Sequence, residues 1–207
     1  DGTARLWDTE TGQQIAITPA GTGLYGASYS PDESRILVWG LDGRVEIYDA
    51  DLNQRQLDLT GHSDEVNGAA WSADGNYVLG WSFADDVFVW DASSGILLGV
   101  IENSLSPAHW HPTDLRIVTG GDGFSVSVWD LEEGLLDLQM EHDSSVLNTL
   151  WNADGSRILS YSADGTARIW DATTGREQLR FTHDEQVNFA LWLDEDTKVA
   201  TTSLDGT

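Results

Sequence analysis

Aromatic residues recur along this chain on two parallel ladders, and that recurrence limits the folds open to it. One ladder is a dipeptide: Trp7-Asp8, Tyr48-Asp49, Trp90-Asp91, Trp129-Asp130 and Trp170-Asp171, in steps of 41, 42, 39 and 41 residues. The other is Tyr29, Trp71, Trp110, Trp151 and Trp192, in steps of 42, 39, 41 and 41. Two ladders drifting together mark one duplicated structural unit, and such a period means stacked repeats.

The unit reads most clearly between Ser145 and Thr182. SSVLNTLW is a short apolar strand, and Asn152-Ala153-Asp154-Gly155 is a turn with glycine where positive φ is cheap. SRILSYS, TARIWD and REQLRFT follow as three further strands, separated by Ala163-Asp164-Gly165 and Thr173-Thr174-Gly175. Four short strands per 41 or so residues is the grammar of a propeller blade, and helical periodicity is absent. The fold class expected is all-β, a β-propeller of four-stranded antiparallel blades. The whole of 1–207 is one array with units near 1–18 (half a blade), 23–59, 65–101, 104–140, 145–182 and 186–207 (half a blade). The halves are complementary, so five blades' worth of strands are present, as a closed five-blade ring or an open arc of a larger propeller. Asp205-Gly206-Thr207 repeats Asp1-Gly2-Thr3 in register, which favours the arc and a parent protein that continues in both directions.

The segments DGTARLWD, LDGRVEIYD, DVFVWD, FSVSVWD and DGTARIWD, with GHSDEVNGAAWSADG and its weaker copies, resemble the WD-repeat family over nearly the whole chain, in a bacterial-type array. The resemblance implies a buried hydrogen-bonded set of His, Ser or Thr, Asp and Trp in a blade. It places that set on His142, Ser160 or Ser162, Asp164 and Trp170, because a buried indole N–H needs an acceptor. The same offset puts His62 with Trp90, and His183 and Asp205 in the last unit. The units of Tyr48 and Trp129 carry Ala20 and Ile101 in place of the His, so packing is expected to hold them. In the unit of Trp90 the turn reads Phe83-Ala84-Asp85-Asp86, with its Asp displaced by one.

Charge narrows function. The chain has 35 Asp and Glu against 10 Lys and Arg, a net charge of −25, and Lys198 is the single lysine. Such a field repels phosphate backbones and anionic membranes, so neither nucleic acid nor a membrane is an expected partner. There is no Cys, no apolar run long enough to span a bilayer and no visible signal peptide, and a cytoplasmic location is expected. No GxxxxGK[ST] or GxSxG motif is present, and Asp49-Ala50-Asp51-Leu52-Asn53 lacks the Gly and Glu of a calcium loop. His109 and His111 flank Trp110 but have no third ligand nearby, so no metal and no cofactor is expected. Trp39 and Trp81 lie off both ladders and share a core slot.

The reading is a non-catalytic protein–protein interaction scaffold or sensor module within a larger protein. In the family such arrays often accompany signalling or nucleotide-switch domains. The alternative is an enzyme or small-ligand site in the central channel. By analogy with the family, partner contacts fall on Asp64, Glu65, Phe83, Asp184 and Glu185, acidic loops with an apolar neighbour that suit a basic protein partner.

Overall fold

A computed structural model describes residues 2–19, 23–82, 86–102, 104, 107–121 and 124–207. The described residues hold strands and no helix. Four sheets have four strands each. Strands β3 (Leu24–Tyr29), β4 (Arg35–Gly40), β5 (Val45–Asp49) and β6 (Arg55–Leu59) make the first. Strands β7 (Gly68–Trp71), β8 (Tyr77–Trp81), β9 (Val87–Asp91) and β10 (Leu97–Ile101) make the second. The third has β11 (Ala108–Trp110), β12 (Arg116–Gly120), β13 (Ser125–Asp130) and β14 (Leu135–Glu141). The fourth has β15 (Val146–Trp151), β16 (Arg157–Ser162), β17 (Thr166–Asp171) and β18 (Glu177–Thr182). Two-stranded sheets stand before and after them: β1 (Arg5–Trp7) with β2 (Gln14–Ile17), and β19 (Val187–Leu193) with β20 (Lys198–Ser203). Every pair is antiparallel and sequential. The chain divides into two compact units, Asp1–Glu102 and Asn103–Thr207.

The turn from first to second strand is tied by a side chain that accepts a backbone N–H. Ser30, Ser72 and Asn152 accept from Arg35, Tyr77 and Arg157 at 3.0, 3.0 and 2.8 Å. At the matching slot His111 Nδ1 accepts from Thr113 and Asp114 at 3.2 and 3.0 Å. His111 is buried, and this duty accounts for it without a metal. Its Nε2 lies 3.2 Å from the carbonyl of Gly155. Gly155 has φ 73°, and a Cβ there would fall 1.9 Å from that nitrogen, so both backbone and space demand glycine.

Second and third strands are buried nearly throughout and outer strands are not. Middle strands covered on both faces read as continuous apolar runs such as RILVW and RILSYS, without alternation. In the first unit one core joins β4–β6 to β7–β9 through Leu37, Ile47, Leu59, Val66, Val78 and Trp90, and another joins Ala16 of β2 to Ile36, Val38 and Tyr48. In the second unit Val118, Val128, Met140, Val146, Ile158 and Trp170 form one core, and Leu159, Ile169, Val187 and Ala190 the next.

An arginine at the start of the second strand also reaches the following sheet. The Arg35 guanidinium lies 4.7 Å from the Trp71 ring centre and donates to the carbonyls of Ala92 and Gly75 at 2.6 and 2.8 Å. Arg157 lies 4.8 Å from the ring of Trp192 and donates to Asp196 O at 2.8 Å, and Arg116 lies 5.5 Å from that of Trp151. Trp71, Trp151 and Trp192 of the first-strand ladder thus serve as stacking platforms between neighbouring sheets within each unit.

Candidate functional site

The most complete buried polar set belongs to β15–β18. Trp170 Nε1–H donates to Ser160 Oγ at 2.8 Å, and Ser160 Oγ lies 2.7 Å from His142 Nε2. His142 Nδ1 lies 2.8 Å from Asp164 Oδ2. The partners dictate the tautomer: Ser160 donates to Nε2, and Nδ1–H donates to the carboxylate. Ser160 is the serine of the set, while Ser162 Oγ donates to the carbonyls of Ser144 and Ser145. Asp164 also accepts from Thr166 Oγ1 at 2.6 Å and from the N–H of Asp143 at 2.9 Å.

A fifth member, Arg168, carries no signal in the sequence ladders. It is only 3% exposed and donates to Asp164 at 2.8 Å, Asp143 at 3.0 Å and the carbonyl of Glu141 at 3.0 Å. Burial alone would push the Asp164 carboxyl up. Hydrogen bonds from Thr166, Asp143 and His142 outweigh it and hold Asp164 far below the usual carboxylate range. Burial pushes His142 down, so the ring is held neutral despite its carboxylate neighbour. Ser160, His142 and Asp164 have the connectivity of a hydrolytic relay. Ser160 is nevertheless fully buried, and its oxygen already serves both Trp170 and His142. A nucleophile must reach substrate, so this relay ties a blade together.

The other units vary the set. Beyond β18, His183 meets Thr201 Oγ1 at 2.8 Å and Asp205 Oδ2 at 3.2 Å, and Asp205 accepts from Asp184 N–H at 3.0 Å. In β11–β14, Trp129 Nε1–H donates to Thr119 Oγ1 at 3.3 Å. In β7–β10 the serine position is Gly80. A Cβ there would lie 3.2 Å from His62 Nε2 and 3.1 Å from the ring of Trp90, so a serine fits only if these rings give by a few tenths of an ångström. His62 packs its ring 4.3 Å from that of Phe88 and 5.7 Å from that of Trp90, whose N–H donates instead to the carbonyl of Thr60 at 2.9 Å. Asp85 and Phe83 lie outside the described residues.

Packing was expected to be the main hold on β3–β6, and a buried polar pair is present there as well. Glu46, 3% exposed, accepts from Tyr48 Oη at 3.0 Å and from Arg55 at 2.7 Å. Burial, then the Glu46 charge, raises the Tyr48 phenol to about 12. A polar set therefore occupies this blade too, built from other residues.

His109 and His111 go to different partners. His109 Nε2 lies 3.0 Å from Asn148 Oδ1, and His111 serves its turn. Among the described residues no group of three or more His, Cys, Asp or Glu is placed to hold a metal ion. Trp39 and Trp81 each pack against a glycine: a Cβ on Gly26 or Gly68 would come within 2.2 and 2.0 Å of the respective indoles.

Two sets of loops adjoin in each unit. Gly43, in the β4–β5 turn, sits against the backbone carbonyls of His62 and Asp64. Exposed Asp64 and Leu41 flank this junction, and Glu65 accepts from Tyr25 Oη at 2.7 Å. A cleft of about 390 Å³ lies beside it, lined by Asp42, Arg44, Arg55, Asp58, Thr60 and His62. In the second unit His142 N–H donates to the carbonyl of Phe124, and His183 N–H to that of Gly165, both at 2.8 Å. Asp143, Asp184, Glu185, Phe124 and Leu204 are exposed around those junctions. The acidic groups there are unburied and, apart from Asp143 with Arg168, uncompensated by the ion pairs described.

Comparison with known proteins places these features in context. The family model described as WD domain, G-beta repeat (WD40) matches residues 53–91, 99–130 and 136–171, together just over half of the chain. Eukaryotic translation initiation factor 3 subunit I of Drosophila melanogaster is 24% identical over 169 residues, 78% of this chain, and that of Drosophila simulans scores the same. The chain spans 42% of the length of these relatives. The crystal structure of the C-terminal WD40 domain of Sif2 superposes with a TM-score of 0.85 at 23% identity, over 99% of this chain and 62% of that one. The computationally designed Ika8 protein superposes with a TM-score of 0.82 at 24% identity, over 100% of this chain and 64% of that one. At such identities the superpositions establish the fold.

Proposed function

This chain belongs to the WD40 repeat family, and from that premise we propose that it is a non-catalytic scaffold or sensor module that captures a protein partner on its loops. The observation that carries the reading is the meeting of two loop sets at three described junctions, with exposed carboxylates beside exposed apolar side chains: Asp64 beside Leu41, and Asp143, Asp184 and Glu185 near Phe124 and Leu204. Carboxylates used for structure are satisfied by their own turns, as Asp171 is by Thr173 and Thr174. On the loops, Asp143 is held by Arg168, whereas Asp184 and Glu185 are exposed and outside the ion pairs described.

A net charge of −25 favours a basic or amphipathic partner and speeds its encounter in low salt. The buried, occupied serine of the Ser160 relay supports a role without turnover. No helix among the described residues is long and apolar enough to cross a membrane. Our reading keeps the 1–207 region as one repeat array within a longer cytoplasmic protein.

The test is capture of a partner from an extract of the source cells, compared with a variant carrying Asp64→Lys, Glu65→Lys, Asp184→Lys and Glu185→Lys. Loss of capture in the variant, and weakening of wild-type capture by salt, is the expected result. Undiminished capture would show that these loops are not the site.

A further inference from the structure

In the second unit two first strands end side by side and leave a space between them. Strand β11 ends at Trp110 and β15 at Trp151. A cavity of about 280 Å³ lies there, lined by His109, Trp110 and Pro112 on one side and Leu150, Trp151 and Ala153 on the other. Strand β15 begins just after Asp143, so the cavity sits at the opposite end of that strand from the acidic loop.

The surroundings limit what the cavity can take. First-strand tryptophans in this chain already receive guanidinium groups. Arg116 lies 5.5 Å from the ring centre of Trp151 itself, and Arg35 and Arg157 lie over Trp71 and Trp192. The lining holds no Lys or Arg, and burial pushes His109 down, which keeps its ring neutral. Two carboxylates flank the exposed Ala153. Asp154 is the next residue, and Asp196 Oδ2 accepts the Ala153 N–H at 2.7 Å. In each of them one oxygen is committed to a turn. Asp154 Oδ1 accepts from Asn152 and Ser156, while Asp154 Oδ2 and Asp196 Oδ1 take none of the hydrogen bonds described. An anion would meet a chain of net charge −25, and a wholly apolar side chain would leave both carboxylates unused. A cation on a slender apolar stem matches both the walls and the rim.

We propose that this cavity takes an arginine side chain of a protein partner, with its stem between the ends of β11 and β15 and its guanidinium against Asp154 and Asp196. Arginine is preferred to lysine because a planar guanidinium stacks on an indole and can bond two carboxylates at once. One inserted side chain is a weak contact by itself. The site is separate from the loops of the proposed scaffold, so either can fail without the other.

The test is nuclear magnetic resonance of the isotope-labelled chain titrated with N-acetyl-arginine amide. The citrulline and norleucine counterparts serve as controls: citrulline keeps the shape of arginine without its charge, and norleucine keeps only an apolar stem. We expect arginine at millimolar concentration to shift the Trp110 and Trp151 indole signals and the Ala153 amide. Both controls should bind at least about tenfold more weakly, and salt should weaken the arginine response. Ala153→Phe, at an exposed position, should fill the cavity and abolish these shifts while the rest of the spectrum stays folded. Asp154→Asn with Asp196→Asn keeps an acceptor for each turn and should weaken binding at least about tenfold. Asp171→Asn, in the turn after β17 and outside the lining, should leave it unchanged. An equal response to arginine and norleucine would assign the cavity to an apolar side chain and overturn the proposal. Binding that survives Ala153→Phe, or no response at these groups, would overturn it as well.

Discussion

Sheets β15–β18 and β3–β6 share one strand scheme and bury opposite charges at the same place. In the first, Arg168 of the third strand lies 3.5 Å from Glu177 of the fourth. In the second, Glu46 of the third strand lies 2.7 Å from Arg55 of the fourth. The polarity is reversed, and the surrounding set is reversed with it. Arg168 draws in Asp164, Asp143 and, through Asp164, His142, whereas Glu46 draws in Tyr48 and Arg55. A blade of this kind therefore requires that a buried polar cluster be closed, whichever sign sits at its centre. Once every member has a partner the cluster specifies a single arrangement, and a half-satisfied one would be costly.

The comparison predicts a graded series. Asp164→Ala removes the acceptor shared by Arg168, His142 and the Asp143 amide, and leaves a buried guanidinium without its main partner. We expect a loss of about 3–5 kcal/mol, read as a shift in the denaturant midpoint with circular dichroism. Glu46→Gln keeps shape and one acceptor for Tyr48, and should cost less than that. If the two substitutions cost the same, the closed cluster is not what distinguishes the blades.

Ser160→Ala orphans the indole N–H of Trp170 and the Nε2 of His142 at once, at about 1–3 kcal/mol. The contrast is Thr119→Val in β12, where only the Trp129 N–H loses its partner. That loss should be smaller in the same unfolding experiment. Arg157→Ala removes a cation–π contact and a hydrogen bond to Asp196, at roughly 1–2 kcal/mol. The effect should appear as faster amide exchange in β19 and β20, while β17 and β18 change little.

The smallest effects are the pH dependences, and they should have opposite signs. In β15–β18, His142 is depressed by burial and Asp164 by its hydrogen bonds. Both states that fold best are the deprotonated ones. Stability of that sheet is therefore full at neutral pH and falls on acidification, first below about 6.5 and again below about 3.9, the unfolded values. In β3–β6, Tyr48 is raised to about 12. Its neutral form is the folded one, so that sheet holds below about 10 and loses stability as pH climbs toward 12. Hydrogen exchange of β16–β17 against β4–β5, corrected for intrinsic rates at each pH, reads both trends. Parallel trends in the two sheets would remove the assignment of the clusters to them. At neutral pH the amides of β15–β18 should be the best protected of the four full sheets, and the unit with Ile101 less so.

Much of this was legible in the residues. The two aromatic ladders locate first and third strands because a duplicated blade repeats its packing partners at the same spacing. The resemblance to the WD-repeat family implied the His142, Asp164 and Trp170 set with Ser160 or Ser162, and a buried imidazole and a buried indole both need partners. Arg168 escaped notice because an arginine in TARIWD looks like any strand residue pointing to solvent. A fainter signal was available: opposite charges nine residues apart, at Arg168 and Glu177 and again at Glu46 and Arg55, mark a cross-strand pair in a hairpin. The arginines at the head of the second strands also recur with the repeat, but their target lies in the next sheet and its distance is set by packing.

From the sequence alone came the all-β class, the four-stranded blade and its turns. Those features rest on local spacing, on the period of two along a strand and on the repeat itself, all written in one dimension. Only the tertiary structure decided that the His62 ring packs on Phe88 and Trp90, that Glu46 is buried and paired, and that arginines stack on tryptophans of the following sheet. Each of these depends on which side chains occupy the same volume, and residues far apart in the chain compete for it only once the sheets have packed.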